Sequence, residues 1–125
     1  MTLALWCVLV AGLLPYVWTV YAKRSKPGYS NANPREFLAS LEGRGQRANY
    51  AQINAFEAFP FFAAAVVIAQ MVGNIAASTL DALAVCFVVA RIAHGAAYIA
   101  NMPLLRSLAW SVGIGSVIAI FVMSA

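Results

Sequence analysis

The stretch RANYAQINAFEAFPFFAAAVVIAQMV, residues 47–72, decides the fold. Its opening turns are polar. From Ala58 the chain then runs to Leu80 without a charge. A membrane-crossing helix needs roughly 20 mostly apolar residues, and this segment supplies them. Backbone in lipid must satisfy its own hydrogen bonds, so such a segment is a helix rather than a strand of an open sheet. Three more stretches follow the same rule. One covers about 2–22 and stops at Lys23 and Arg24; one covers about 75–100 and contains Asp81, Arg91 and His94; one covers about 104–124 and is uncharged from Ser107. No turn-punctuated alternation suggests a small barrel. The expected fold is an all-α integral membrane protein, a four-helix transmembrane bundle forming one domain over residues 1–125, with a loop at 23–46. Pro15 and Pro60 fall inside helices and are expected to kink them.

Composition agrees. Of the 125 residues, 63% are hydrophobic and 10% charged, whereas a soluble domain is near half apolar and a quarter charged. That balance excludes a disordered chain and argues against an ordinary soluble globule. The net charge of +4 comes mainly from one place: Lys23, Arg24, Lys26, Arg35, Arg44 and Arg47 are six of the eight cations. That is a basic loop at a membrane surface rather than a nucleic-acid footprint. Short loops rich in Lys and Arg face the cytosol, so both termini are expected on the opposite side. In a bacterium the membrane would be the plasma (inner) membrane. The first stretch lacks a positive leading region and is followed directly by cations, which favours a permanent helix over a cleaved signal. Trp6, Trp18 and Tyr21 are expected as interfacial anchors.

Cys7 and Cys86 lie in apolar helices and imply no disulfide framework. One histidine and no clustered ligand set leave no expected metal. The costly residues are the ionisable ones inside lipid. Arg47, Tyr50, Asn54 and Glu57 are spaced to share one helix stripe, as are Arg91, His94 and Tyr98, and Arg106 with Trp110. Glu57 and Arg91 each lie about ten residues, roughly 15 Å, from the cytosolic face. They are expected to form an ion pair, either fixing register or flooring a polar cavity. His94, Tyr98, Asn54, Arg47 and Arg106 would line that cavity nearer the cytosol. Its cationic bias suits an anionic or zwitterionic ligand, with an apolar second substrate entering from lipid. Asp81 is expected to favour its own helix N-terminus. Ala82, Cys86 and Ala90 repeat every four residues and would permit close helix approach.

These residues carry a resemblance. Residues 47–62, with Arg47, Ala51, Asn54, Glu57 and Pro60, resemble the signature of the MAPEG superfamily, membrane-associated proteins in eicosanoid and glutathione metabolism. Arg91, His94 and Tyr98, then Arg106 and Ser107, resemble that family's Arg-x-x-His-x-x-x-Tyr segment and later Arg-Ser pair. Asn33 and Pro34 match its Asn-Pro loop. The resemblance implies a homotrimer of four-helix bundles with glutathione as co-substrate in clefts between subunits. It implies glutathione contacts from Asn54, Glu57, Arg91, His94, Tyr98, Arg106 and Ser107, with Arg106 and Ser107 nearest the thiol. Arg47 and Trp110 join the binding set, Trp110 standing where some members have tyrosine. The implied activity is that of a glutathione transferase or peroxidase acting on lipophilic electrophiles or lipid hydroperoxides.

The chemistry is coherent on its own terms. A free thiol has a pKa of about 8.5, and the thiolate is the nucleophile. A guanidinium and a hydroxyl beside the sulfur stabilise that anion. The chain departs from the pattern at Gln46, where the family has Glu, at Tyr50, where it has its second Arg, and at Ile53, where some members carry Arg. Each lost charge-assisted donor costs roughly 1.5–3 kcal/mol of binding; the loop cations Lys23, Arg24 and Arg44 are available to offset this. Those departures point to the alternative of a non-catalytic relative that binds lipid or protein. A small four-helix exporter is disfavoured, because the first helix has no acidic residue.

Overall fold

A computed structural model describes residues 1–125 as five helices: α1 (Leu3–Arg24), α2 (Pro34–Ala39), α3 (Gly43–Val72), α4 (Ala77–Ile99) and α5 (Pro103–Ser124). Four of them, α1, α3, α4 and α5, are long and apolar enough to cross a membrane. The fold is a four-helix membrane bundle. Its ends follow local chemistry. The Thr2 side chain accepts the Leu5 N–H at 3.4 Å, and Lys23 and Arg24 occupy the last turn of α1, where cations complement the helix dipole. Gly73 ends α3 in the left-handed conformation, φ 75°, with its N–H on the Ala69 carbonyl, the usual glycine stop. Asn101, at φ 59°, turns the chain before Pro103 opens α5.

Several details differ from the sequence reading. α3 begins at Gly43 rather than near Arg47, and the loop contains the short α2. Pro15 and Pro60 lie inside continuous helices, as read from the sequence. Proline lacks an N–H and so frees a carbonyl in the preceding turn. The Thr19 hydroxyl bridges this part of α1 to α3, between the Pro15 carbonyl, at 3.0 Å, and the Gln52 side chain. Asp81 serves another helix than its own: its carboxylate accepts the Ala4 N–H at 2.8 Å, tying α4 to the start of α1. Trp18 is half-buried and lies against Gly95, where an added Cβ would overlap the indole. It is therefore a packing residue between α1 and α4 as well as an aromatic near one end of α1.

The core forms where small residues let helices approach. Ala4, Cys7 and Ala11 of α1 meet Phe62, Ala65 and Val66 of α3, with Ala84 and Phe87 of α4 and Val117 and Ile120 of α5 completing the cluster. The Phe62 and Phe87 rings stack with centroids 3.9 Å apart. In lipid such packing, rather than water exclusion, holds helices together. Outward faces are also apolar, as Leu13, Val17, Val67 and Val89 illustrate. α1 and α5 do not touch each other; α3 and α4 lie between them. This arrangement leaves a groove between α3 and α5 floored by α4, and the polar residues gather along it.

Candidate functional site

The groove begins at Arg91. This α4 side chain is only 4% exposed, inside a helix apolar enough to cross a membrane, where an ionised group requires partners. Arg91 Nη2 donates to Asn54 Oδ1 of α3 at 2.6 Å, and Asn54 Nδ2 donates to Glu57 Oε2 at 3.5 Å. The expected direct Glu57–Arg91 ion pair is thus corrected: Asn54, one turn before Glu57, intercepts the guanidinium and relays it to the carboxylate. Glu57 itself is exposed on the surface of the single chain.

Around this relay the polar residues line one recess of about 470 Å³, formed by Asn54, His94, Tyr98, Arg106, Ser107 and Trp110, with Ser111 beside them. Three helices contribute. Arg106, in the first turns of α5, sits over the Tyr98 ring with its guanidinium carbon 4.5 Å from the centroid. That is within cation–π range. Tyr98 also meets His94 edge to face at 5.6 Å, so the stripe His94–Tyr98–Arg106 is a continuous stack. A second cavity, about 360 Å³, adjoins the first through shared walls at Asn54 and Trp110. It is lined by Glu57 and Arg91 but otherwise by apolar groups, among them Phe61, Phe87, Ile114 and Val117. A polar chamber therefore adjoins one of mixed lining at Asn54 and Trp110.

Two buried atoms in this region lack any hydrogen-bond partner: Arg91 Nε and His94 Nδ1. His94 is 3% exposed. Buried polar atoms are nearly always satisfied, and an exception calls for a water or a ligand. Arg47 stands apart from the recess. Its Nε donates to the Ile99 carbonyl at 2.9 Å, closing the C-terminal end of α4, where the last carbonyls have no helical partner. Tyr50 leans toward Tyr98, with centroids 6.3 Å apart. The α3 stripe read from the sequence is thus divided: Arg47 binds α4 backbone, Asn54 enters the recess and Glu57 reaches the deeper cavity.

Ser111 and the apolar wall of the deeper cavity were not read from the sequence. Ser111 follows Ser107 by one turn and its hydroxyl donates to the Ser107 carbonyl at 2.9 Å; the four-residue spacing was the available signal. Ala58 and Phe61 continue the Asn54 stripe at helical spacing, masked among so many apolar neighbours. Cys7 is buried in the core and Cys86 exposed. Cys86 lies with Ala82 and Ala90 in an apolar furrow between α4 and α5.

Comparison with family profiles matches residues 3–125 to the MAPEG family. The chain belongs to the MAPEG family. Comparison with individually curated proteins gave no match. Membership agrees with the four-helix membrane bundle and assigns this MAPEG protein, at the general level, to the membrane proteins of glutathione and eicosanoid metabolism. Members commonly use glutathione. The recess of this MAPEG chain combines a cation stacked on an aromatic ring, an amide, a histidine and hydroxyls, with the buried Arg91 hydrogen-bonded behind the amide. That donor set suits a small anionic polar ligand better than an apolar one.

Proposed function

We propose that this MAPEG protein binds glutathione in the recess of Asn54, His94, Tyr98, Arg106, Ser107 and Trp110 and uses its thiolate on a lipophilic electrophile or lipid hydroperoxide. The observation that carries the reading is that the polar recess adjoins, at Asn54 and Trp110, a cavity whose walls beyond Glu57 and Arg91 are apolar. Asn54, held by Arg91 and Glu57, and His94 form the wall against which the carboxylates and amides of the peptide lie. Arg106 and the Ser107 hydroxyl face the sulfur and stabilise its negative charge. In transfer, the sulfur lone pair forms a carbon–sulfur bond while the leaving group departs with its electrons. With a hydroperoxide, the sulfur takes the distal oxygen, the O–O bond breaks, and the lipid alkoxide collects a proton. The resulting sulfenic acid condenses with a second glutathione to give the disulfide and water.

A homotrimer belongs to the same proposal. Glu57, in the middle of α3, is exposed in the single chain, and Trp110 is 48% exposed. A carboxylate at that depth does not face lipid at equilibrium. A second copy laid along the α3–α5 groove would cover it and close the recess. One observation favours the non-catalytic alternative: the Arg47 guanidinium is engaged by the Ile99 carbonyl, which leaves one fewer cation for the glutathione carboxylates.

Purified protein in detergent should conjugate glutathione to a lipophilic aryl halide. Arg106→Ala should lower turnover by roughly 10²–10³, the scale for removing one anion-stabilising donor. Undiminished turnover in that variant would remove Arg106 from the chemistry; no turnover in the parent would favour the binding-only reading.

A further inference from the structure

The second cavity, about 360 Å³, lies toward the compact end of small-molecule pockets, which run about 300–1,000 Å³. One aromatic side chain reaches it from each of three helices: Phe61 of α3, Phe87 of α4 and Trp110 of α5. Phe87 is fixed by its stack on Phe62, with centroids 3.9 Å apart and planes 9° from parallel. Two of the remaining wall residues are small: Ala58 on α3 and Gly113 on α5, the helices that flank the groove.

Gly113 differs from the glycines that hold helices together. At Gly45 and Gly95 an added Cβ would overlap a neighbour, and at Gly12 it would stand 3.1 Å from the Phe59 ring. At Gly113 the nearest atoms would be Arg91 Cδ at 3.6 Å, Phe87 Cδ2 at 3.9 Å and Ala90 Cβ at 4.0 Å, which is ordinary van der Waals contact. A methyl group fits there, so close packing does not call for glycine. Gly113 is buried within α5, and its backbone makes no left-handed turn. What the missing side chain leaves is room in the cavity, over the floor that Arg91 and Phe87 form.

We propose that Ala58 and Gly113 are specificity-determining residues, which shape this cavity for a flat aromatic ring on the electrophile in preference to an acyl chain. The reaction rests on the glutathione reading, whereas binding of the ring does not. An acyl chain gains little by leaving lipid, because lipid tails are as apolar as the cavity wall. A ring gains edge and face contacts with aromatic neighbours that lipid does not offer. The cavity adjoins the polar recess at Asn54 and Trp110, so a ring seated in it holds its reactive substituent toward the recess that Arg106 and Ser107 line.

The test compares two electrophiles with one reacting group, phenethyl isothiocyanate and hexyl isothiocyanate, on the full chain in detergent with glutathione. In both, the sulfur adds to the isothiocyanate carbon and a proton goes to its nitrogen, so only ring and chain differ. Gly113→Leu and Ala58→Leu fill the cavity from its two flanks. Each should lower kcat/KM for the phenethyl compound roughly tenfold or more, the scale for a misfit in an apolar pocket, and leave the hexyl compound within about twofold. Ala82→Leu adds the same kind of bulk in the α4–α5 furrow, which shares no lining residue with the cavity, and should change neither. Circular dichroism checks that the variants stay helical. Equal loss of both substrates in the two cavity variants, no loss in either, or the same loss in Ala82→Leu would overturn the assignment. Binding is read separately, without glutathione, from quenching by nitrobenzene, since Trp110 is the one tryptophan in this cavity. Saturable quenching in the parent chain that is lost in both cavity variants supports the ring site, even where the parent conjugates neither electrophile and the glutathione reading fails. Quenching that never saturates, or is unchanged in the variants, overturns it.

Discussion

Asn54 accepts from Arg91 through Oδ1 and donates to Glu57 through Nδ2, so one neutral amide spans two opposite charges. Removing it strands Arg91, whose Nε already lacks a partner. Breaking a buried charged interaction by deleting one side costs about 3–5 kcal/mol. Asn54→Ala should therefore lower the thermal midpoint in detergent clearly, and also weaken glutathione binding; an unchanged midpoint would mean that the relay contributes nothing. The two polar stripes were legible in the sequence because helical spacing alone places Asn54 with Glu57 and Arg91 with His94. The relay was not. Depth matching brings Glu57 and Arg91 to the same level, but side-chain reach decides which acceptor the guanidinium meets first, and spacing does not contain that. Arg47 was misplaced for a related reason: the end of α4 offers it an unpaired carbonyl at Ile99, and an unpaired carbonyl has no sequence signature.

At the scale of elements, glycine spacing sets the closest contacts. Gly95 of α4 faces the Trp18 indole, with the Nε1 atom 2.8 Å from where a Cβ would stand. Overfilling a packed contact costs typically 1–3 kcal/mol. Gly95→Ala should lower the thermal midpoint and shift Trp18 emission, read in a background where Trp6 and Trp110 are phenylalanine; retention of both signals would show that α1 and α4 are not held at this point. The four long helices were legible because a chain this apolar, cut by few breakers, admits little else. The early start of α3 was hidden. Gly43 and Gly45 look like loop residues by local preference, yet Gly45 is required inside the helix because Ser25 lies where its side chain would be. Tertiary approach overrides propensity there. The short α2 lay below the length at which periodicity speaks.

For the whole molecule, the polar recess and the basic loop share one end of the bundle. We propose that this end faces the cytosol, because the loop cations cluster there. In intact cells, Ser30→Cys placed in a chain lacking Cys7 and Cys86 should react with a membrane-permeant maleimide and resist an impermeant one; ready labelling by the impermeant reagent would invert the topology. Substrates would then arrive by two routes, glutathione from the aqueous phase and the lipophilic partner through the bundle wall. The most direct test of the account is a titration of glutathione against the purified protein, followed by ultraviolet thiolate absorbance at neutral pH. Saturable thiolate formation in the parent chain, lost in Arg106→Ala, is the predicted result. Saturation with no thiolate signal, or no binding at all, would contradict it.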